Sequence, residues 1–264
     1  MPHMKPLSIA LFGLLFLPFA HAGLVYDFRS VSSGMSKQTL AGSVRAEGPN
    51  MRVDFTTGDG LLFRSGSYAI ATGGRKILSV VDPSARTFYE LDTDRILGGA
   101  DAMLRQFGGK FEVSNPKVRV TNGGDAGTMA GLPAQESRVE SSFDMALQAL
   151  GQNMKMQMHN TTDVWWTRSV GAEFTSFLQK SGLKTGIEAV DKLLAAQTPN
   201  VNGFPLKQVT TTKIVMNGNA MSTTTTSEVS DVRPMKIAPA AFAVPAGFVM
   251  VASPLEKMLT RGKL

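Results

Sequence analysis

Leu24-Val25-Tyr26-Asp27-Phe28-Arg29 opens the part of the chain that decides the fold. Apolar and polar residues alternate along this stretch, and Met51-Arg52-Val53-Asp54-Phe55 repeats the alternation. Successive side chains of a β-strand point to opposite faces of the sheet, so this pattern predicts strands with one buried face and one solvated face. Strands of that kind are typical of an antiparallel sheet.

Turn-forming residues separate the alternating stretches, as in Gly48-Pro49-Asn50, Gly73-Gly74 and Asp82-Pro83-Ser84. They predict a meander of short strands over residues 24–32, 39–46, 51–57, 61–65, 68–72, 75–81 and 86–91. Later strands are predicted over residues 110–121, 134–147, 153–167, 206–216, 220–231 and 242–251. Asn217-Gly218 predicts a tight hairpin between two of these, because both residues tolerate a positive φ.

Three stretches have the apolar spacing of an amphipathic helix: one from Ile96 to Phe107, one from Phe174 that ends at Gly182, and one from Ile187 that ends before Pro199. They predict helical insertions near residues 93–107 and 172–197. The predicted fold is therefore mainly β (α+β): a curved antiparallel sheet or incomplete β-barrel, with about three helices covering its open side.

The first residues predict an export signal. Lys5 precedes the apolar run from Leu7 to Ala20, and Ala20-His21-Ala22 is the small-x-small pattern that signal peptidase cleaves. The run is shorter than the roughly 20 apolar residues that span a bilayer. We expect cleavage of residues 1–22, location in the periplasm, no later transmembrane segment, and no lipid anchor, which would need a cysteine.

The composition argues against several classes of function. The chain has no cysteine, which excludes thiol catalysis and thiolate metal sites. His159 is the only histidine after the expected cleavage, and neither a nucleophile elbow nor a phosphate-binding loop is present. The formal charge of +6 is scattered along the chain, which argues against nucleic acid as a partner. We expect no enzymatic activity, no cofactor and no metal.

Met154-Lys155-Met156-Gln157-Met158-His159 is the most informative local sequence. In a strand it places three thioethers on one face and the polar side chains on the other. Three interpretations stay open: an adaptable apolar wall for a lipid-like ligand, a thioether site for Cu(I), and ordinary core packing. The chain's 15 methionines favour an adaptable surface.

Aromatic residues and the first predicted helix add candidates for the same wall. Trp165 and Trp166 are adjacent, so each faces a different side of the sheet. Met103 and Phe107 belong to the apolar side of the first helix. The predicted apolar pocket wall consists of Met154, Met156, Met158, Trp165, Trp166, Met103 and Phe107.

Five short motifs mark turns and strand starts: Val25-Tyr26-Asp27-Phe28, Ala130-Gly131-Leu132-Pro133-Ala134, Val164-Trp165-Trp166-Thr167, Gly203-Phe204-Pro205-Leu206 and the ending from Ala241 to Phe248. Their arrangement resembles the periplasmic LolA/LolB-like superfamily. The resemblance is strongest to an uncharacterised branch of that superfamily, a domain of unknown function found in exported proteins. The resemblance implies an incomplete barrel with helices over its mouth. It also implies an apolar cavity of the kind in which the superfamily's carriers hold acyl chains.

We therefore predict a single LolA-like domain, residues 23–264, that binds or carries a lipid, an acyl chain or another amphiphile without enzymatic activity. Burial of CH₂ groups at about 0.8 kcal/mol each supplies enough affinity for such a ligand. A lipoprotein or an envelope protein is the protein partner that this function suggests. The alternatives are a cell-envelope protein-interaction module with a filled core, a periplasmic hydrolase with a carboxylate pair, and a Cu(I)-binding protein.

Overall fold

The computed structural model describes residues 23–35, 37–73, 76–92, 110–149, 152–175, 192 and 203–261. Six short strands come first: β1 (Leu24–Gly34), β2 (Gln38–Glu47), β3 (Asn50–Thr57), β4 (Tyr68–Ala71), β5 (Ile77–Asp82) and β6 (Thr87–Asp92). Five long strands and a short one follow: β7 (Lys110–Met129), β8 (Leu132–Ala149), β9 (Gln152–Thr167), β10 (Phe204–Met216), β11 (Asn219–Pro234) and β12 (Val249–Met250).

All twelve strands belong to one open sheet, in the order β12-β6-β5-β4-β3-β2-β1-β11-β10-β9-β8-β7. Neighbouring strands are antiparallel, except that β12 runs parallel to β6. The central strand β1 pairs with β2 on one side and with β11 on the other. This order confirms the predicted, mainly antiparallel β architecture.

The hydrophobic core lies on one face of the sheet, here called the core face, which carries Tyr26, Val44 and Val53. These three residues are direct cross-strand partners on β1, β2 and β3, and their side chains are almost fully buried. The Tyr26 hydroxyl donates to the carbonyl oxygen of Phe174 at 3.1 Å. The ring of Tyr26 meets the edge of the Phe204 ring, with centroids 5.0 Å apart. The alternation at Leu24–Arg29 thus places its apolar half in the core.

The opposite face, here called the outer face, is covered in its β1–β6 half by the segment that follows β11. Phe242 and Ile237 of that segment are buried with Tyr68 and Ile70 in a second, smaller cluster. The Ile237 amide donates to Glu47 Oε2 at 2.9 Å, and this contact ties the segment to the end of β2. Both faces of the short strands are therefore packed.

Two-residue turns connect the long strands as hairpins. Asn217 and Gly218 both have positive φ, 51° and 79°, between paired residues of β10 and β11, which confirms the predicted hairpin. Ala130 and Gly131 have φ of 50° and 76° and join β7 to β8 in the same manner. Positive φ at both central residues is the signature of a type I′ turn.

The prediction of about three helices over the sheet is not confirmed. Within the part of the chain that the structure describes, one α-helix is present, α1 (Pro254–Arg261), which was not predicted. Ala172–Phe174 and Pro239–Phe242 form short 3-10 turns. The predicted insertion at residues 93–107 lies outside the described residues, as does most of the one at 172–197.

Two predicted strands are wrong. Residues 61–65 form a loop between β3 and β4 instead of a strand, with Phe63 stacked on Phe55 at 4.8 Å between centroids. Residues 242–251 contribute only β12, because Pro245 has no amide hydrogen to donate and the segment packs its apolar side chains onto the outer face.

Candidate functional site

The five long strands continue well past the core, and their registers show which side chains share a face there. Directly paired residues of neighbouring strands lie on the same face, and residues two apart on one strand do so as well. Starting from buried Val164 on β9, the core face continues through Thr162, Asn160 and Met158. From Thr162 outward, the residues of this face belong to neither of the two core clusters.

Apolar side chains occupy the far end of the core face. Met158 pairs with Phe143 on β8 and Ile214 on β10, and Ile214 pairs with Met221 on β11. One row further out, Met156 pairs with Met145 on β8 and with Met216 on β10. We call this surface the methionine patch: Met154, Met156, Met158, Phe143, Met145, Leu147, Ile214, Met216 and Met221.

The methionine patch combines six of the chain's 15 methionines from four strands. Met154 and Met221 are each 37% exposed, whereas Phe143 is buried and the rest are half-buried. Methionine is unbranched and polarisable, so a surface made from it adapts to ligands of irregular shape. The patch is therefore an apolar, deformable surface that is partly open to solvent.

Between the core and the methionine patch, hydroxyl and amide side chains line most of the core face of β1 and β8–β11, with the buried valines Val139 and Val164 among them. They form three cross-strand rows, which we call the hydroxyl belt. Its members are Ser137, Gln208, Ser227 and Ser30 in the first row, Thr162, Thr210, Thr225 and Ser32 in the second, and Ser141, Asn160, Thr212 and Thr223 in the third.

Cross-strand hydrogen bonds join the side chains of the hydroxyl belt. The Ser32 and Thr225 hydroxyl oxygens lie 2.8 Å apart, and those of Thr162 and Thr210 lie 3.2 Å apart. Gln208 Nε2 also donates to Thr210 Oγ1 at 3.2 Å. A hydroxyl has one donor and two acceptor positions, so a bonded pair of hydroxyls keeps one donor and three acceptor positions for other partners.

Along the parts of β8 to β11 that carry the belt and the patch, the charged side chains lie on the outer face. Arg138 donates to both carboxylate oxygens of Asp163, at 2.6 and 3.0 Å, and this pair occupies the outer face of β8 and β9. Lys207 and Glu228 form a second ion pair at 2.7 Å on the outer face of β10 and β11. Within the described strands, every side chain of the hydroxyl belt and the methionine patch is uncharged.

A cleft of about 610 Å³ lies where β1, β2 and β3 end, beside the hydroxyl belt. Belt residue Ser32 lines the cleft, together with Gln38, which pairs with it across the strands. Most of the remaining side chains that line it are serines and threonines, and Lys37 and Asp59 add one charge of each sign. The cleft therefore adjoins the belt at Ser32.

The structure brings some of the predicted pocket residues together and separates others. Met154, Met156 and Met158 share the core face and lie together in the methionine patch. The buried ring of Trp166 lies on the same face, where its Nε1 donates to Ser137 Oγ at 3.1 Å, but it is eight residues from Met158 along β9 and is not part of the patch. Trp165 lies on the outer face, where Lys207 Nζ is 5.7 Å from its ring centroid. Met103 and Phe107 lie outside the described residues.

Six members of the methionine patch were not predicted: Phe143, Met145, Leu147, Ile214, Met216 and Met221. Phe143 has polar neighbours on both sides in its strand, so the sequence indicates its face, whereas the other five each have one apolar neighbour: Ala146, Val215 or Ala220. The sequence does not indicate the register between strands, which determines the residues that become neighbours. The hydroxyl belt was missed for the same reason.

The described part of the chain contains no group of three or more histidine, cysteine, aspartate or glutamate side chains that could hold a metal ion. None of the helices described there has the length and apolarity needed to cross a bilayer. His159 points to the outer face, between Ser142 and Lys213 of the neighbouring strands, and so lies opposite the thioethers.

No protein-family model and no curated protein matches this sequence. Among solved structures, an uncharacterized conserved protein from Thermus thermophilus is similar with 10% identity and a TM-score of 0.38, over 88% of this chain and 91% of that one. The LolA superfamily protein NE2245 from Nitrosomonas europaea is similar with 11% identity and a TM-score of 0.32, over 84% of this chain and 90% of that one.

Proposed function

We propose that the protein is a non-enzymatic binding or carrier protein for an amphiphile, and that it acts in the periplasm after export by residues 1–22. The observation that carries this proposal is the methionine patch, an apolar surface on the core face that the described core does not use. Burial of an acyl chain of sixteen carbons there would supply on the order of 10 kcal/mol before the cost of ordering the ligand.

The position of the methionine patch favours a small ligand over core packing alone. A core side chain normally contacts buried apolar neighbours on several sides, whereas Met154 and Met221 are each 37% exposed. The patch continues directly into the hydroxyl belt, so one ligand can contact an apolar and a polar surface at once. That combination suits a molecule with an apolar chain and a polar head.

Mass spectrometry of an organic extract tests the proposal directly. The protein is purified from a bacterial periplasm without detergent and extracted with organic solvent. We expect a lipid or acylated compound in stoichiometric amount. An empty protein that also takes up no neutral acyl probe would contradict the carrier proposal and would favour the cell-envelope interaction module, which binds another protein through the same sheet.

A pair of adjacent substitutions locates the binding surface. Met156→Asp places a carboxylate in the centre of the methionine patch and is expected to weaken binding of a neutral fluorescent acyl probe by more than about tenfold. Gln157→Asp places the same group one residue later on the exposed outer face, and we expect unchanged binding. Equal binding by both variants, with folding verified by circular dichroism, would show that the patch is not the site.

One observation favours Cu(I) binding as a second candidate function. Met145, Met156 and Met216 are directly opposite one another on β8, β9 and β10. The Cβ atoms of such pairs lie about 5 Å apart, and thioethers select Cu(I). Three flexible methionine side chains can therefore converge on one ion.

Substitution by leucine separates the two candidate functions. Replacing Met145, Met156 and Met216 by Leu preserves apolar volume and removes the thioethers. A Cu(I) site would lose its affinity for the metal in a competition titration, whereas a patch for acyl chains would keep probe binding within about threefold. Equal Cu(I) affinity of the variant and the unmodified protein would exclude the metal site.

A further inference from the structure

The hydroxyl belt places an uncharged polar surface next to the methionine patch. We infer that the belt holds the head group of the ligand, and that this head group is uncharged and hydroxyl-bearing, as in a monoacylglycerol or an alkyl glycoside. The inference rests on the proposed function and deepens it, because it assigns a substrate class to the same face.

The belt and the patch are close enough for one molecule to contact both. Thr212 and Ile214 are two residues apart on β10 and share the core face, and the same holds for Asn160 and Met158 on β9. Residues two apart on a strand are separated by about 7 Å. A ligand that lies along the strands with its acyl chain on the patch therefore has its head group over the belt.

The hydrogen-bonding groups of the belt match a neutral hydroxyl-bearing head. The paired hydroxyls of Ser32 and Thr225, and of Thr162 and Thr210, keep donor and acceptor positions after they bond to each other. A glycerol or sugar head likewise presents hydroxyl donors and oxygen acceptors. The belt can therefore replace the water that such a head loses on binding.

The distribution of charge argues against an anionic head group. On the strands that carry the belt, Arg138 and Lys207 lie on the outer face and are paired with Asp163 and Glu228. Lys37 of the neighbouring cleft shares that cleft with the opposite charge of Asp59. A carboxylate or phosphate over the belt would lose solvent without gaining a positive partner, which is unfavourable. The net positive charge of the chain is therefore not directed to this surface.

The cleft beside the belt enlarges the space for a hydroxyl-bearing head. It adjoins Ser32 at the β1 end of the second belt row and has a volume of about 610 Å³. Its lining adds five more serine and threonine side chains: Ser33, Thr39, Thr56, Thr57 and Ser65. The charges of Lys37 and Asp59 balance, so the cleft favours neither sign of ligand.

Competition between ligands that share one acyl chain tests the inference. A neutral fluorescent monoacylglycerol analogue is bound to the full protein and displaced by monopalmitoylglycerol, palmitate or palmitoyl lysophosphatidylglycerol, each below its micelle concentration and at neutral pH. Because the chain is constant, differences report the head group alone. We expect the neutral glyceride to displace the probe at concentrations about tenfold lower than either anion.

Substitutions at neighbouring positions on opposite faces assign this preference to the belt. Thr212→Lys adds a cation to the belt and is expected to strengthen palmitate binding about tenfold while weakening glyceride binding. Thr211→Lys adds the same cation on the outer face and should leave both unchanged. If Thr212→Lys does not fold, Thr210→Val removes one belt hydroxyl and should weaken only the glyceride, several-fold, with Thr211→Val as its control.

The results separate failure of this inference from failure of the proposed function. Palmitate that binds as tightly as the glyceride, or tighter, would overturn the neutral-head inference while amphiphile binding itself stands. Anion binding that disappears in Lys37→Gln would also overturn it, because the cleft lysine would then select the ligand. If neither the probe nor any of the three compounds binds to the protein, both the neutral-head inference and the proposed function are overturned.

Discussion

Tyr89 is half-buried beside the loop at residues 61–65, and its hydroxyl donates to the carbonyl oxygen of Leu62 at 2.6 Å. Burial raises the pKa of Tyr89 to about 12, from an ordinary value of 10.0. The unfolded chain loses this proton near pH 10.0 whereas the folded chain retains it to about pH 12. The stability associated with Tyr89 is therefore complete below this window and is lost as the pH rises through it.

We predict that Tyr89→Phe flattens the fall of stability with pH between about 10 and 12. Phenylalanine cannot ionise, so the folding equilibrium no longer depends on this proton. Urea unfolding at several pH values measures the slope. The lost hydrogen bond to Leu62 lowers stability by a similar amount at every pH below the window, so an unchanged slope would contradict the assignment of the raised pKa.

Individual residues also show how far the sequence predicts the site. The alternation of Met154, Met156 and Met158 with polar residues correctly places them on one face. The partners Met145 and Met216 come from other strands, and their position depends on a register that a shift of one residue would reverse. Faces can be predicted from local periodicity, whereas cross-strand neighbours depend on tertiary structure.

The two type I′ hairpins differ at their first turn residue, Asn217 in one and Ala130 in the other. Asparagine visits the left-handed region readily, whereas alanine is strained there by roughly 1 kcal/mol. We predict that Ala130→Asn raises the free energy of unfolding by about 0.5–1 kcal/mol and that Asn217→Ala lowers it by a similar amount. Urea denaturation measures both, and the same sign of change in the two variants would contradict the turn assignment.

The incorrectly predicted strands show where local pattern and tertiary packing compete. Leu61, Leu62 and Phe63 have the apolarity of a strand, yet no neighbouring strand pairs with them in the described structure. Leu62 and Phe63 instead pack against the core beside Phe55, and the Ser65 amide donates to the Gly58 carbonyl oxygen at 2.9 Å, which closes the loop. Strand propensity is realised only where a partner edge is available.

The edge strand β7 is protected against pairing with other molecules. β8 is its only partner in the described structure, but Asn115 has a positive φ of 53°, Pro116 lacks an amide hydrogen, and bulges interrupt the strand at three places. Between the first two bulges, Lys117 and Arg119 are exposed on the outer face. Kinks and positive charges of this kind prevent edge-to-edge association.

We predict that replacing both Lys117 and Arg119 by Val increases association with rising protein concentration, as measured by light scattering. Because Val118 and Val120 already lie between and beside them, the variant carries a flat apolar edge segment. Replacing Lys155 and Lys213 by Val is the matched control, since these exposed lysines lie on the interior strands β9 and β10. Equal association of the two variants would show that surface charge, and not the edge, is responsible.

The position of β1 between β2 and β11 has a consequence for the order in which the molecule assembles. Ser30 and Ser227, which are hydrogen bonded across β1 and β11, are separated by 197 positions along the chain. The meander from β1 to β6 contains only local pairings and can form while the rest is still being synthesised. One edge of β1 then stays unpaired until β11 has been synthesised. Closing the long loop between β1 and β11 slows folding. The centre of the finished sheet is therefore expected to form last, and nascent chains are most vulnerable to misassociation along the edge that ends up most protected.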